Sequence, residues 1–222
     1  MSRNIIFSLD EYYHVYNRGT DKRIIFLDEF DYKRFTLLLY ICNSTERVDI
    51  GDLLRQGLAL SKIYDEERSS DTLVDIGAWV LMPNHFHILI KEKKEKGITT
   101  FLQKLLTSYS MYFNHKYQRK GSLFEGPFKA KHLDSDNYLK YQFAYIHLNP
   151  IGIIDSSWKN RKISDKNRAK LFLDNYIHSS YMDYCEKDRL EGKVLSRQAF
   201  PKYFNNTQDF RKMIKECMEF NG

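Results

Sequence analysis

The tripeptide His85-Phe86-His87 stands inside a β-rich run from Asn84 to Ile90. Strand side chains alternate, so His85 and His87 share one face at a spacing of about 7 Å while Phe86, Ile88 and Ile90 share the other. Two imidazoles on a face without apolar cover are a ready pair of ligands for a divalent cation, with carboxylate or amide oxygens needed to complete the shell. Taken alone, the tripeptide also describes two ordinary exposed strand histidines. A second set lies on a helix expected over Asp136 to Asn149, where Tyr138, Tyr141 and Tyr145 recur at i, i+3 and i+7. Asn149 follows Tyr145 by four residues, one turn on and on the same face, so an amide oxygen and a phenol stand side by side. A phenol with an ordinary pKa of about 10 is a poor nucleophile and needs a nearby cation or base. Taken alone, these tyrosines also describe an aromatic stripe packed on a sheet. The third set is the segment from Asn114 to His132. It carries Lys116, Arg119, Lys120, Lys129 and Lys131 against the single acid Glu125, interleaved with Tyr117, Phe124 and Phe128. A basic strip with aromatics suits a sugar-phosphate backbone whose bases stack on rings, with a solvated basic turn as the plain alternative.

Composition narrows the classes open to this chemistry. The 222 residues include 35 Lys and Arg against 29 Asp and Glu, a net charge of +6 that favours polyanionic partners. Hydrophobic residues make up 42%, with 16 Tyr and 15 Phe and only 10 Gly and 4 Pro, which excludes global disorder and low-complexity classes. The length suits one domain with extensions, or one domain and a small second one. Met1 to Asp10 holds no apolar run of signal-peptide length, and stretches such as Phe35 to Cys42 and Ala78 to Pro83 are too short to span a bilayer. A soluble, cytoplasmic protein is therefore expected. Cys42, Cys185 and Cys217 are far apart and form no CxxC pair, which reads as three reduced thiols. The sequence has no GxxxxGK[ST], GxGxxG, HExxH or GxSxG motif, which argues against nucleotide hydrolysis and serine hydrolase chemistry.

These residues need elements to position them. Tyr12 to Arg18 reads as a strand ending at Gly19, and Asp28 opens an amphipathic helix running to Asn43. The connection from Thr45 to Ser70 is expected to hold a short helix around Leu53 to Leu60. Val74 to Met82 and His85 to Ile90 read as a hairpin joined through Pro83-Asn84. Thr99 or Thr100 is expected to cap a second helix with Phe101, Leu102, Leu105, Leu106, Tyr109, Tyr112 and Phe113 on its apolar face. Leu123 to His132 reads as a further strand. Asp134 or Ser135 then caps the third helix, which should stop at Asn149-Pro150 because proline disfavours helical geometry in the residue before it. The order strand, helix, strand, strand, helix, strand predicts an α+β, ferredoxin-like (split βαβ) fold. Its two helices cover one face of a four-stranded antiparallel sheet, and the tyrosine-bearing helix stands at the open face. We place a main domain at 1–152 and a C-terminal helical extension packed on it at 153–222. The extension reads as irregular to about Lys170, then helical in part from Asn175 to Glu186 and from Thr207 to Phe220.

Together these motifs resemble the single-tyrosine HUH transposases, most closely the REP-associated tyrosine transposase branch. Tyr13-His14-Val15-Tyr16-Asn17-Arg18-Gly19 resembles that family's opening strand, and Trp79 to His87 resembles its histidine-hydrophobe-histidine segment. Gly121-Ser122-Leu123-Phe124-Glu125-Gly126 with Phe128-Lys129 is similar to the strand before its catalytic helix. Tyr145-Ile146-His147-Leu148-Asn149-Pro150 resembles its tyrosine-to-asparagine segment, and Ser179-Ser180-Tyr181 its tail. Pro127 stands where the family usually carries arginine. The resemblance implies that His85, His87 and Asn149 are ligands of magnesium or manganese and that Tyr145 is the nucleophile. It further implies a 5′-phosphotyrosine intermediate with a free 3′-hydroxyl, and hence cutting and rejoining of single-stranded DNA beside hairpins without ATP. Arg18, Lys116, Arg119, Lys120, Lys129 and Lys131 are the expected DNA contacts. The expected partners are single-stranded DNA hairpins, with no membrane, for a monomer or homodimer. Three alternatives stand beside this reading: a non-catalytic ferredoxin-like nucleic-acid-binding module, a replication or transfer initiator using the same chemistry, and a host-domesticated enzyme.

Overall fold

Tyr13 and Val15 are buried on one face of the first strand, β1 (Tyr12–Arg18), so His14 and Tyr16 fall on the other. This is seen in a computed structural model, which describes residues 5–46, 64, 71–160 and 163–219. β1 pairs antiparallel with β3 (His85–Glu92) and with β4 (Lys129–His132), and β3 pairs with β2 (Val74–Met82). The sheet order is β2-β3-β1-β4. Helix α1 (Glu29–Ile41) joins β1 to β2 and α2 (Gly97–Lys116) joins β3 to β4, which is the split βαβ arrangement expected. The short helix expected at Leu53 to Leu60 lies outside the described residues.

The first face carries Tyr13, Val15, Trp79, Leu81, Phe86, Ile88 and Ile90, packed against Phe35 and Leu38 of α1 and Phe101, Leu105 and Tyr109 of α2. Asp28 starts α1 with a capping box: its carboxylate accepts from the Asp31 amide, and the Asp31 carboxylate accepts from its own. The expected threonine cap of α2 is not used. The helix begins earlier, at Gly97, and the buried Glu92 carboxylate at the end of β3 accepts from the Ile98 amide at 2.8 Å. In β2, Gly77 sits at a register shift between Ile76 and Ala78, where a Cβ would stand 2.6 Å from the Phe200 ring.

Three further expectations need correction. The strand read from Leu123 to His132 pairs as β4 only over Lys129–His132, because Gly126 takes a φ of +129° and Pro127 follows it; Phe124 keeps an isolated bridge to Gly19. The second face is not left open. Ala78, Val80, Met82 and Leu89 on it are apolar and need cover, which comes from Leu139, Phe143 and Ile146 of α3 (Asp136–Leu148). Leu173 of α4 (Lys166–Asn175) and Phe210 and Ile214 of α5 (Thr207–Glu219) complete this second core. α4 starts from its Asp165 cap, so the C-terminal helix lies ahead of the expected Asn175 to Glu186 stretch, where a single turn covers Tyr181–Tyr184.

α3 is capped by Ser135, as expected, and its regular bonding ends at Leu148. Pro150 does not turn the chain away. Asn149 keeps helical angles, φ −53° and ψ −36°, and a further turn follows at Ile151–Ile154. Residues 178–180 lie along the outer edge of β2, where Leu81 N–H donates to His178 O and Ser180 N–H to Trp79 O, each at 2.9 Å. Arg189 clamps this segment through both Asp183 oxygens at 2.7 Å. Among the described residues no helix is long and apolar enough to cross a membrane.

A buried imidazole joins α3 to this segment. His147 donates from Nδ1 to Phe143 O at 2.9 Å and accepts at Nε2 from the Ser180 hydroxyl at 2.8 Å, while Ser180 Oγ accepts from Trp79 N–H at 2.9 Å. Burial lowers the His147 pKa to about 3. An unfolded histidine titrates near 6.5, so below that pH the unfolded chain binds the extra proton and stability falls as pH drops toward 3. The slope per such site approaches about 1.4 kcal/mol per pH unit. We therefore expect the urea midpoint at pH 5 to lie below that at pH 7.5, with a smaller difference in His147→Gln; an unchanged difference in that variant would contradict this role.

Candidate active site

Register fixes which side chains meet. Tyr16 stands opposite His87 and Arg18 opposite His85, so all four share the second face of the sheet. On the other side of β1, Lys129 stands opposite Tyr16 and Lys131 opposite His14, adding two ammonium groups to that face. α3 packs on β2 and β3 through Phe143, Ala144 and Ile146, and its partly buried Tyr145 turns toward the histidines. The Tyr145 ring lies edge-on to His87 at 5.8 Å and to His14 at 6.2 Å between centroids. A cleft of about 680 Å³ holds Tyr16, Arg18, Asn84, His85, His87, Lys129, Tyr145 and Asn149 in its lining. Histidines and tyrosine thus meet within one chain.

The two tyrosines of α3 are separated by environment. Tyr141 is 46% exposed and lies outside the cleft lining. Tyr145 is stacked between neighbours, with Tyr141 at 6.3 Å and Trp158 at 6.1 Å. Burial pushes the Tyr145 phenol above its ordinary pKa, and a hydrogen bond with the Asn149 side chain, one turn along, works against that rise. The phenol is neutral near pH 7 and needs further help to ionise.

Each of the two histidines is held at Nδ1 by a neighbouring side chain. Asn84 Nδ2 donates to Lys22 O at 3.1 Å, which turns its Oδ1 toward His85 Nδ1 at 2.6 Å. An amide oxygen only accepts, so His85 carries its proton on Nδ1 and a lone pair on Nε2. His87 Nδ1 lies 2.8 Å from His14 Nε2. Burial, followed by the neighbouring His14 and His85, holds the His87 pKa well below 6.5. Burial and then Lys131 lower that of His14 to about 3. Two imidazoles and the Asn149 oxygen could hold a divalent cation of borderline character, manganese more than magnesium, which favours oxygen shells. Among the described residues no group of three or more His, Cys, Asp or Glu is placed to hold a metal ion.

The basic strip is divided by the fold. Lys129 lines the cleft, Lys131 shares its face, and Arg18 stands at the rim in an ion pair with Glu125. Lys116 does not reach this face: its ammonium sits 2.8 Å from both Asp28 and the fully buried Asp31, on the α1 and α2 side of the sheet. Arg119 lies over Phe113 and donates to Asn114 at 3.2 Å, and Lys120 is exposed on the turn after α2; neither lines the cleft. On that same side the Tyr109 hydroxyl donates to Ile25 O and that of Tyr112 to Asp31.

Sequence reasoning missed several residues here. His14 is one; the apolar Val15 beside it, which must point into the first core, was the signal available to place it on the histidine face. Tyr16 follows by the same alternation. Nothing in the sequence marked Asn84 as the partner of His85, or Trp158 as the stacking neighbour of Tyr145.

Residues 59–149, which include β2, β3, α2, β4, α3 and Asn149, match the model of the family described as "Transposase IS200 like". No curated protein sequence matches the chain. Among solved structures, one described as the REP associates tyrosine transposase bound to a REP hairpin shares the fold. Its TM-score is 0.52 over 92% of this chain and 99% of that one, at 11% identity. The matched stretch, about two fifths of the chain, carries both histidines, the cleft tyrosine and the asparagine, and over it the chain is similar to the IS200-like transposases.

Proposed function

We propose that the chain cuts and rejoins single-stranded DNA beside hairpins through a covalent bond to Tyr145, in the manner of a REP-associated tyrosine transposase. The observation that carries this reading is the meeting of Tyr145 and Asn149 with His85 and His87, from a strand sixty residues earlier, in one cleft with a basic wall. Binding alone has no use for that set. The DNA partner is supported by the fold neighbour, which is described in complex with a hairpin.

In this reaction Tyr145 Oη gives up its proton and forms a bond to the scissile phosphorus, the bond to the 3′ oxygen breaks, and that oxygen takes up a proton, so none is gained or lost overall. The products are a 5′-phosphotyrosine and a free 3′-hydroxyl. Because one phosphodiester replaces another, a second 3′-hydroxyl can reverse the step without a nucleotide triphosphate. His85, His87 and Asn149 would hold a divalent cation, which supplies Lewis acidity at the phosphate. Their donor set carries no charge of its own, so it leaves the cation's charge undiminished. Lys129, Lys131 and Arg18 offer the phosphodiester backbone positive charge along the wall. Asn149 hydrogen-bonds the phenol and so favours its ionised form.

Two measurements test the proposal. Incubated with hairpin DNA from the chain's own genomic neighbourhood and Mn²⁺, the protein should yield a DNA adduct that survives denaturing electrophoresis. Tyr145→Phe should abolish it and Tyr141→Phe should leave it; adducts retained in Tyr145→Phe would sink the assignment. In binding titrations without metal, Lys129→Ala should weaken hairpin affinity at every site sequence and lower the salt slope by about 1. Lys116→Ala should leave that slope unchanged, and equal slopes for the two variants would count against the proposed DNA path.

A further inference from the structure

His14 and His87 face each other from β1 and β3 with rings 26° from parallel, centroids 4.9 Å apart, and Nε2 of His14 at 2.8 Å from Nδ1 of His87. At that distance one nitrogen donates and the other supplies a lone pair. Two arrangements satisfy the contact. If His14 donates, the neutral His87 carries its proton on Nε2, at the cleft, and has no lone pair to offer there. If His87 donates from Nδ1, its Nε2 lone pair is presented to the cleft.

His14 is otherwise an expensive residue for its place. It is only 4% exposed, and its Nδ1 has no hydrogen-bond partner among the described residues. An apolar ring would stack on Tyr16 as His14 does, at 5.0 Å and 25°, without a buried polar atom left unpaired. The fold alone therefore does not call for an imidazole at position 14, whereas the bond to His87 does. His85 shows the same relation in simpler form, since its Nδ1 donates to Asn84, whose Oδ1 can only accept.

We propose that His14 is a positioning residue, which accepts the His87 Nδ1 proton and so holds His87 in the tautomer whose Nε2 can bind a divalent cation. The assignment rests on the proposed metal role of His85, His87 and Asn149. It places a hydrogen-bond acceptor behind each ligating ring, Asn84 behind His85 and His14 behind His87, the arrangement by which outer partners fix ring orientation and raise ligand basicity.

The test measures Mn²⁺ binding by the loss of free-ion paramagnetic resonance signal, without DNA, in the wild type, His14→Phe and His14→Gln, with thermal melting as the check on folding. Loss of such outer partners lowers metal affinity about 10–100-fold, which is the change expected in His14→Phe. His14→Gln, which restores an acceptor oxygen, should recover most of it. A purely structural role would not separate the two variants by acceptor capacity. Should His14→Phe fail to fold, nitrogen-15 resonances of the wild type with Mg²⁺ decide the matter. A His87 proton on Nδ1 supports the assignment, and one on Nε2 overturns it. Wild-type and His14→Phe proteins with equal Mn²⁺ affinity would overturn the His14 role alone. A wild type without measurable affinity would overturn the metal reading as well.

Discussion

Helix α3 is seated on β2 and β3 by Phe143, Ala144 and Ile146, and its buried His147 is tied through the Ser180 hydroxyl to the backbone of Trp79. That seat sets the phase of the helix. With residues 143, 144, 146 and 147 committed to the sheet and the C-terminal helices, Tyr145 and Asn149 are left on the flank that overlooks the histidines. The C-terminal region is part of the same constraint, because Ser180, Phe210 and Ile214 hold the helix from behind. A change in that packing, far from the cleft, would move the phenol relative to His85 and His87.

The cleft is electrically divided. Its floor carries the His87 imidazole, held uncharged by burial, the His85 imidazole beside it, an amide and a phenol whose pKa is raised. Its wall carries Lys129 from the short edge strand β4 and Arg18, paired with Glu125, at the end of β1, with Lys131 on the same face of the sheet. In the proposed reaction a polyanion would meet charge along its backbone, while the reacting phosphate would meet the histidines, the amide and the phenol. This division follows from register: β4 carries lysines at each position that faces the histidine side, and β3 carries its two histidines there.

Where the signal was alternation within a single strand, the sequence was a good guide. His85-Phe86-His87 already assigned two faces, and Tyr145 with Asn149 already shared a helix flank. What the sequence could not convey was how elements sit against one another. The basic strip from Asn114 to His132 is continuous along the chain, yet it passes from the end of α2 to β4, and the sheet separates Lys116 from Lys129. The face expected to be open is covered because Ala78, Val80, Met82 and Leu89 are apolar, a pattern overshadowed by the histidines beside them. α3 ends at Leu148, beside the Asn149-Pro150 stop that was expected, but Asn149 keeps the helical angles that the proline was expected to disfavour, and this holds its amide within reach of Tyr145.

The most direct test of this account is anomalous diffraction from crystals of the protein grown with Mn²⁺ at neutral pH. The account predicts a single strong peak in the cleft, bounded by Nε2 of His85, Nε2 of His87 and Oδ1 of Asn149, with the Tyr145 hydroxyl beside it. A well-ordered cleft without a peak, or a peak held by other residues, would contradict it.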